Sequence, residues 1–106
     1  MKAGINMTVR AKFKVDAIER SMGAAPVKLE DGSLKRDAND RIVYGPCEMQ
    51  TIKMSPVYSN GDPNHENTKF WQASPSGSVQ LGTVNADAAR QFDIGKEYYI
   101  DFTPAP

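Results

Sequence analysis

The chain has 106 residues, 40% hydrophobic and 25% charged, with 13 Lys+Arg balanced by 13 Asp+Glu. This length predicts one domain, residues 1–106, with a single core and no room for a deep cofactor cleft. The zero net charge excludes the broad basic footprint of a dedicated duplex-DNA binder. The lone Cys47 excludes an intrachain disulfide, and no apolar run reaches the roughly 18 residues of a membrane span. No apolar stretch follows the first lysine, so we expect no secretory signal and synthesis in a reducing cytoplasm.

The first strong pattern is an alternation from Thr8 to Ile18. The apolar set is Val9, Ala11, Phe13 and Val15, and the charged set between them is Arg10, Lys12, Lys14 and Asp16. A period of two predicts a half-buried antiparallel strand. The alternation slips at Ala17-Ile18, which indicates a β-bulge or the end of the strand. Residues 1–7 show no periodicity and are predicted to form an N-terminal arm.

Residues 22–46 are predicted to be a hairpin insertion. Asp31-Gly32 lies between two short runs, Val27–Glu30 and Ser33–Arg36, and this dipeptide favours a tight two-residue turn. A flexible loop is the alternative, because glycine, proline and the polar run 37–40 all interrupt regular structure.

Three strands and two helices are predicted in the remainder of the chain. The second long strand spans Glu48–Tyr58, with Pro56 indicating an edge or a bulge. Asp62 and Pro63 predict the start of a short helix that runs to Ala73, and Asn85 predicts the cap of a second helix, 86–92. The other two strands are predicted at 78–84 and 96–103. The expected fold class is a β-rich α+β protein, with a small antiparallel sheet or partly closed barrel of four to six strands and two short helices.

Residues suited to catalysis are few and scattered. His65 is the only histidine, so a His-based triad and a multi-histidine metal site within one chain are excluded, and a surface or capping role is expected. Cys47 matches no nucleophile motif and is expected to be a small buried side chain. The run Asp37–Asp40 lacks the glycine and the distant glutamate of a calcium loop. We therefore predict a non-enzymatic protein without catalytic residues, cofactor or metal.

A sheet face is the remaining place for binding. The candidate nucleic-acid face comprises Arg10, Lys12, Lys14, Lys53 and Tyr99. Cations interleaved with an aromatic side chain are typical of small β-barrels that hold single-stranded nucleic acid. The alternative is a solvated strand whose charges prevent edge-to-edge aggregation.

Part of the sequence resembles a family of small bacteriophage proteins. The segments that carry the resemblance are ENTKFWQASPSG at 66–77, Asn85, FDIGKEYYIDFT at 92–103 and the opening VRAKFKV at 9–15. The resemblance covers the first strand and the region from about Glu48 to the end, with residues 22–45 as an insertion. It implies a viral accessory protein and brings no assigned activity or binding residues.

Three functions are compatible with these features. The first is a virion-associated minor structural or capsid-decorating protein, made in the host cytoplasm, that contacts capsid proteins or itself through the N-terminal arm and the hairpin. The candidate contact residues of the hairpin are Val27, Leu29, Leu34, Lys35 and Arg36. The alternatives are an OB-like single-stranded nucleic-acid-binding protein and an inhibitor of a host defence protein. We expect no membrane association.

Overall fold

The structure, a computed structural model, describes residues 8–106, so the predicted arm at residues 1–7 lies outside the described residues. Four strands and two short helices follow one another along this part of the chain. Their bounds are β1 Val9–Pro26, β2 Tyr44–Pro56, α1 Glu66–Trp71, β3 Val79–Thr83, α2 Ala86–Ala89 and β4 Glu97–Phe102. The predicted β-rich α+β class is confirmed.

The strands form one open antiparallel sheet in the order β3-β2-β1-β4. β4 pairs with residues 9–14 of β1, whereas β3 pairs with residues 50–54 of β2. β3 and β4 therefore form the two opposite edges of the sheet, and they lie at different positions along the central strands. They therefore do not meet, and the barrel alternative, including an OB-like barrel, is wrong.

β1 is an 18-residue strand that continues well past the predicted end at Ile18. Its pairing with β2 shifts between Val15 and Ala17, so Asp16 forms the bulge that the slipped alternation indicated. Beyond the bulge the ladder runs without interruption to the pair formed by Pro26 and Tyr44. From Ser21 to Pro26 the strand contributes no residue to the core cluster, and its regular backbone pairing is with β2 alone.

The core is small and lies on one face of the sheet around the bulge. Its buried side chains are Ala11, Phe13, Val15, Ile52 and Met54, and the partly buried side chains around them are Ile18, Trp71, Val79, Phe92, Tyr98 and Ile100. Residues directly opposite in antiparallel strands point to the same face. The pairs of Val15 with Met54 and of Ile18 with Ile52 therefore place the apolar residues of both strands in one layer.

α1 replaces β2 as the neighbour of β1 after β2 ends at Pro56. The buried Asn67 side chain accepts from the Lys12 N–H (2.7 Å) and donates to the carbonyls of Lys12 (2.8 Å) and Val57 (2.7 Å). It thus satisfies backbone groups that a strand would otherwise pair. Trp71 of the same helix packs against Phe13, with ring centroids 6.1 Å apart.

The first helix begins later than the sequence predicts. Its N-cap is His65, whose Nδ1 accepts a hydrogen bond from the Asn67 N–H at 3.0 Å. Asp62 instead closes the preceding turn, because its carboxylate accepts from the Asn64 N–H and its carbonyl from the His65 N–H. The predicted capping role of His65 is confirmed, whereas the predicted cap at Asp62 is wrong. The predicted cap at Asn85 is confirmed for α2, which is shorter than expected.

Candidate interaction surfaces

The predicted basic face is one continuous surface of the sheet. Arg10, Lys12 and Lys14 lie opposite Asp101, Tyr99 and Glu97 of β4, and Lys53 of β2 lies opposite Ala17 on the same side. The Tyr99 ring has the Arg10 guanidinium 4.4 Å and the Lys12 ammonium 5.4 Å from its centroid. The residues proposed from the sequence are therefore neighbours on this face.

Carboxylates neutralise most of that face. Arg10 donates two hydrogen bonds to Asp101, at 2.7 and 3.1 Å, and Lys53 lies 2.8 Å from a carboxylate oxygen of Glu19. Lys12 lies 4.0 Å from Glu66 and 3.8 Å from Glu97. On this surface positive and negative side chains therefore alternate, and it is not a positive patch that attracts phosphates.

The carboxylate pKa values follow from these contacts. The hydrogen bond from Arg10 lowers the pKa of Asp101, and the same pair raises the pKa of Arg10. The pKa of Glu66 is lowered first by its own backbone N–H and then by the Tyr99 hydroxyl, which donates to Glu66 at 3.0 Å. The Asp101 and Glu66 carboxylates are therefore both stabilised in the charged form. The Tyr99 side chain lies between the Arg10 and Lys12 cations and the Glu66 carboxylate.

Residues 27–43, which we call the head, join the far ends of β1 and β2 through a closed ring of three backbone hydrogen bonds. Val27 donates to Val43 (2.8 Å), Val43 donates to Lys35 (2.9 Å), and Lys35 donates back to Val27 (2.8 Å). These residues are eight positions apart, so the head consists of two consecutive short hairpins, 27–35 and 35–43. The hydrogen bond between Val27 and Val43 also continues the long β1–β2 ladder, so this ladder and the two short hairpins meet at the ring.

Both short hairpins turn in the same way. Gly32 donates to the Leu29 carbonyl and Asp40 to the Asp37 carbonyl, and both residues have positive φ, 88° and 62°. This arrangement is a type I turn followed by a left-handed residue. The predicted two-residue turn at Asp31-Gly32 is therefore wrong, because of the two residues only Gly32 has positive φ.

The five candidate contact residues of the hairpin divide between the junction and the surface. Val27 and Lys35 supply backbone groups to the ring, whereas Leu34 is half-buried and pairs with Lys28. Leu29 is 49% exposed, and the exposed Arg36 donates to the Asp40 carbonyl at 3.0 Å. Of the predicted range 22–46, residues 22–26 belong to β1 and 44–46 to β2. The second hairpin went unpredicted because 37–40 contains no glycine.

Sequence reasoning also missed an apolar surface beside the head. Residues 21–26 of β1 and 44–49 of β2 form a two-stranded ribbon that projects beyond β3 and β4. One side of this ribbon, which we call the ribbon face, comprises Met22, Ala24, Pro26, Tyr44 and Pro46. Met22 is 78% and Tyr44 61% exposed. The strand pairing alone reveals this surface, because 22–26 has no alternating pattern.

No group of three His, Cys, Asp or Glu side chains is arranged to hold a metal ion within residues 8–106. Cys47 is partly exposed, so its predicted burial is wrong. Two depressions of about 470 and 460 Å³ lie beside Val9 at the opposite end of the sheet from the head. One is lined by Arg10, Glu66, Lys69 and Phe70 and the other by Asp101, Phe102, Thr103 and Pro104.

None of the described helices has the length and apolarity required to cross a membrane. Comparisons of the chain with protein-family profiles, with curated proteins and with solved structures gave no match.

Proposed function

We propose that this chain is a non-enzymatic structural protein of a bacteriophage particle that attaches to neighbouring subunits through its head. The sequence resemblance supplies the viral context. The observation that carries the proposal is the projecting ribbon with the head at its end, in a molecule whose buried core is confined to the other end of the sheet.

The dimensions of the molecule support an assembly role. Its extents are 59 × 38 × 20 Å and its radius of gyration is 19.0 Å. A compact domain of this length has a radius of gyration of about 13 Å. The accessible surface is 7887 Å², whereas a monomeric protein of this size exposes roughly 5,900 Å². The elongated shape thus leaves area for contacts with neighbouring subunits, each of which typically covers about 800 Å².

The head is suited to specific contact because its backbone is held rigidly. The three-bond ring and the two tight turns fix the positions of the exposed side chains, and pre-organised loops lose less conformational entropy on binding. An Asp31 carboxylate that accepts from the Ser33 hydroxyl and N–H further fixes the first turn. These hydrogen bonds also lower the pKa of Asp31, so the carboxylate stays charged.

Mass spectrometry of purified particles tests this proposal. In particles of the bacteriophage that encodes the chain, we expect the protein at a fixed stoichiometric ratio to the capsid subunit. Its absence from particles would refute the structural role. Recovery with one host protein from infected cells, without any in particles, would instead support the inhibitor alternative.

Single-stranded nucleic-acid binding is the second candidate, favoured by the common surface of Arg10, Lys12, Lys14 and Tyr99. The alternating carboxylates argue against it. An oligonucleotide titration at low salt distinguishes the two. The structural proposal predicts no binding, whereas a binder would show strongly salt-dependent affinity that a triple Arg10→Ala, Lys12→Ala, Lys14→Ala variant loses.

A further inference from the structure

We propose that the groove between the start of β1 and α1 binds an extended segment of another protein that carries an apolar and an acidic side chain. We call it the β1 groove, and its walls are Val9, Arg10, Glu66, Lys69 and Phe70. It lies at the opposite end of the sheet from the head. This inference therefore concerns a second contact site and does not depend on the proposed function.

One edge of β1 is open at the β1 groove. On the side of β1 where β2 lies, the Lys12 carbonyl accepts from the Val57 N–H and the Lys12 N–H donates to Asn67. The backbone groups of alternate residues in a strand point to the same side, so the Arg10 N–H and C=O face this side too. Pairing with β2 begins only at Phe13, and within residues 8–106 no strand covers the Arg10 groups. Such an edge is a template for an added strand.

Helix α1 forms the other wall of the β1 groove. Glu66, Lys69 and Phe70 are three and four residues apart, which places them on one face of the helix. Together with Val9 and Arg10 they border a depression of about 470 Å³. Val9 is 47% and Phe70 44% exposed. The side chains of an added strand alternate between the two faces of the sheet, so an apolar side chain of that strand would cover Val9 and Phe70.

The charges of the β1 groove favour an acidic partner. The Arg10 Nε donates to Asp101 at 2.7 Å, and Glu66 accepts from the Tyr99 hydroxyl at 3.0 Å. Lys69 is exposed, and in the described part of the chain no carboxylate lies within ion-pair distance of its ammonium. A segment with a carboxylate beside its apolar side chain is therefore complementary to the groove, whereas a basic segment would be repelled.

Fluorescence polarisation with synthetic peptides tests strand addition. The probes are blocked, labelled peptides of about seven residues in which Val and Thr alternate and one Glu is placed at each position in turn. We expect the best of them to bind the full chain with a dissociation constant of about 10–500 μM. N-methylation of one alternating set of peptide residues should abolish binding, because it removes the N–H groups that face β1, and N-methylation of the other set should not. No binding up to about 1 mM, or equal effects of the two sets, would overturn the proposal.

A charge exchange tests the role of Lys69. Lys69→Glu should weaken binding of the Glu peptide roughly fivefold or more, and replacing the Glu of the peptide with Lys should restore binding to this variant. The control Lys28→Glu makes the same change at an exposed lysine of the head and should leave both affinities unchanged. Melting temperatures near that of the wild type show that both variants fold.

Two results of these experiments would contradict the assignment of the β1 groove. The first is an affinity for the Glu peptide that Lys69→Glu does not change. The second is self-association of the chain in sedimentation velocity that Lys69→Glu abolishes, which would give the groove to a second copy instead of another protein.

Discussion

At the residue scale, Asn67 organises the junction between the helix and the sheet. It is completely buried, and its amide forms three hydrogen bonds with the backbone of Lys12 and Val57. An amide side chain suits this position because it both accepts and donates hydrogen bonds, as the backbone of a paired strand does. Removing it leaves buried N–H and C=O groups without partners, which is costly in a core of this size.

Asn67→Ala should therefore lower the free energy of unfolding by about 2–4 kcal/mol. Asn67→Asp keeps the acceptor for the Lys12 N–H but lacks the two donated hydrogen bonds, and should also destabilise strongly. Urea unfolding followed by circular dichroism measures both changes. The control Asn64→Ala replaces an exposed asparagine three residues earlier in the chain and should change stability little. Equal effects at the two asparagines would contradict the proposed role.

Asp101 gives the fold a dependence on acid. Its pKa in the folded state is lowered by Arg10, so the ion pair contributes stability above the unfolded-state pKa of about 4. That contribution is lost as the pH falls through the folded-state pKa. We expect the melting temperature to fall between about pH 4 and pH 2, and to fall less in Asp101→Asn. An identical pH profile for the variant would show that the pair contributes nothing.

Residue roles set by local sequence were partly predictable, and those set by tertiary contact were not. Asn85 caps α2 as its sequence predicts, because the cap needs only its own next turn. Asp62 has the same local signal, yet the helix starts at Glu66. The hydrogen bonds of Asn67 to Lys12 of β1 and to Val57, just past the end of β2, require the helix to begin beside these two residues. This requirement is absent from the local pattern.

At the scale of elements, the strands with one buried face were predictable and the ribbon was not. The alternation from Ala11 to Val15 reflects burial against the core, and the structure confirms it, whereas Val9, predicted on the same apolar face, is 47% exposed. From Ser21 to Pro26 neither face contacts the main core, so no apolar period is required and none is present. The head repeats a turn at a spacing of eight residues. The second turn has Asp40 at positive φ, and aspartate adopts this conformation less readily than glycine does. The sequence therefore gives a weaker signal for this turn.

Gly23 is the glycine of the ribbon with the least room for a side chain. An added Cβ would meet the Met49 Cβ at 2.9 Å and the Cys47 carbonyl at 3.3 Å, neither of which moves easily. Gly23→Ala should lower the free energy of unfolding by about 1–3 kcal/mol. The matched control is Gly82→Ala in β3, where the nearest atom is the mobile Met49 sulfur at 3.3 Å. Thermal melts that rank the control as the more damaging change would contradict this account.

At the scale of the whole molecule, the two ends have different roles. The core, α1 and the ion pairs of Arg10 and Lys12 lie around the bulge and at the β4 side of the sheet, and α2 packs on β2 and β3. The ribbon and the head project from that end and carry exposed apolar and rigid polar surface. Under the proposed function, stability and attachment depend on different residues, and we expect removal of the head to leave the core intact.

The most direct test of the structural role uses a variant without the head. Val27 and Val43 already face each other, so replacing residues 28–42 with Asn-Gly should close the ribbon with a two-residue turn and preserve the fold. Wild-type and headless chains would be supplied together during infection and counted in purified particles by quantitative mass spectrometry. We predict wild-type chain at a fixed ratio to capsid and at least roughly tenfold less of the folded headless chain. Equal incorporation, or no incorporation of either chain, would contradict attachment through the head.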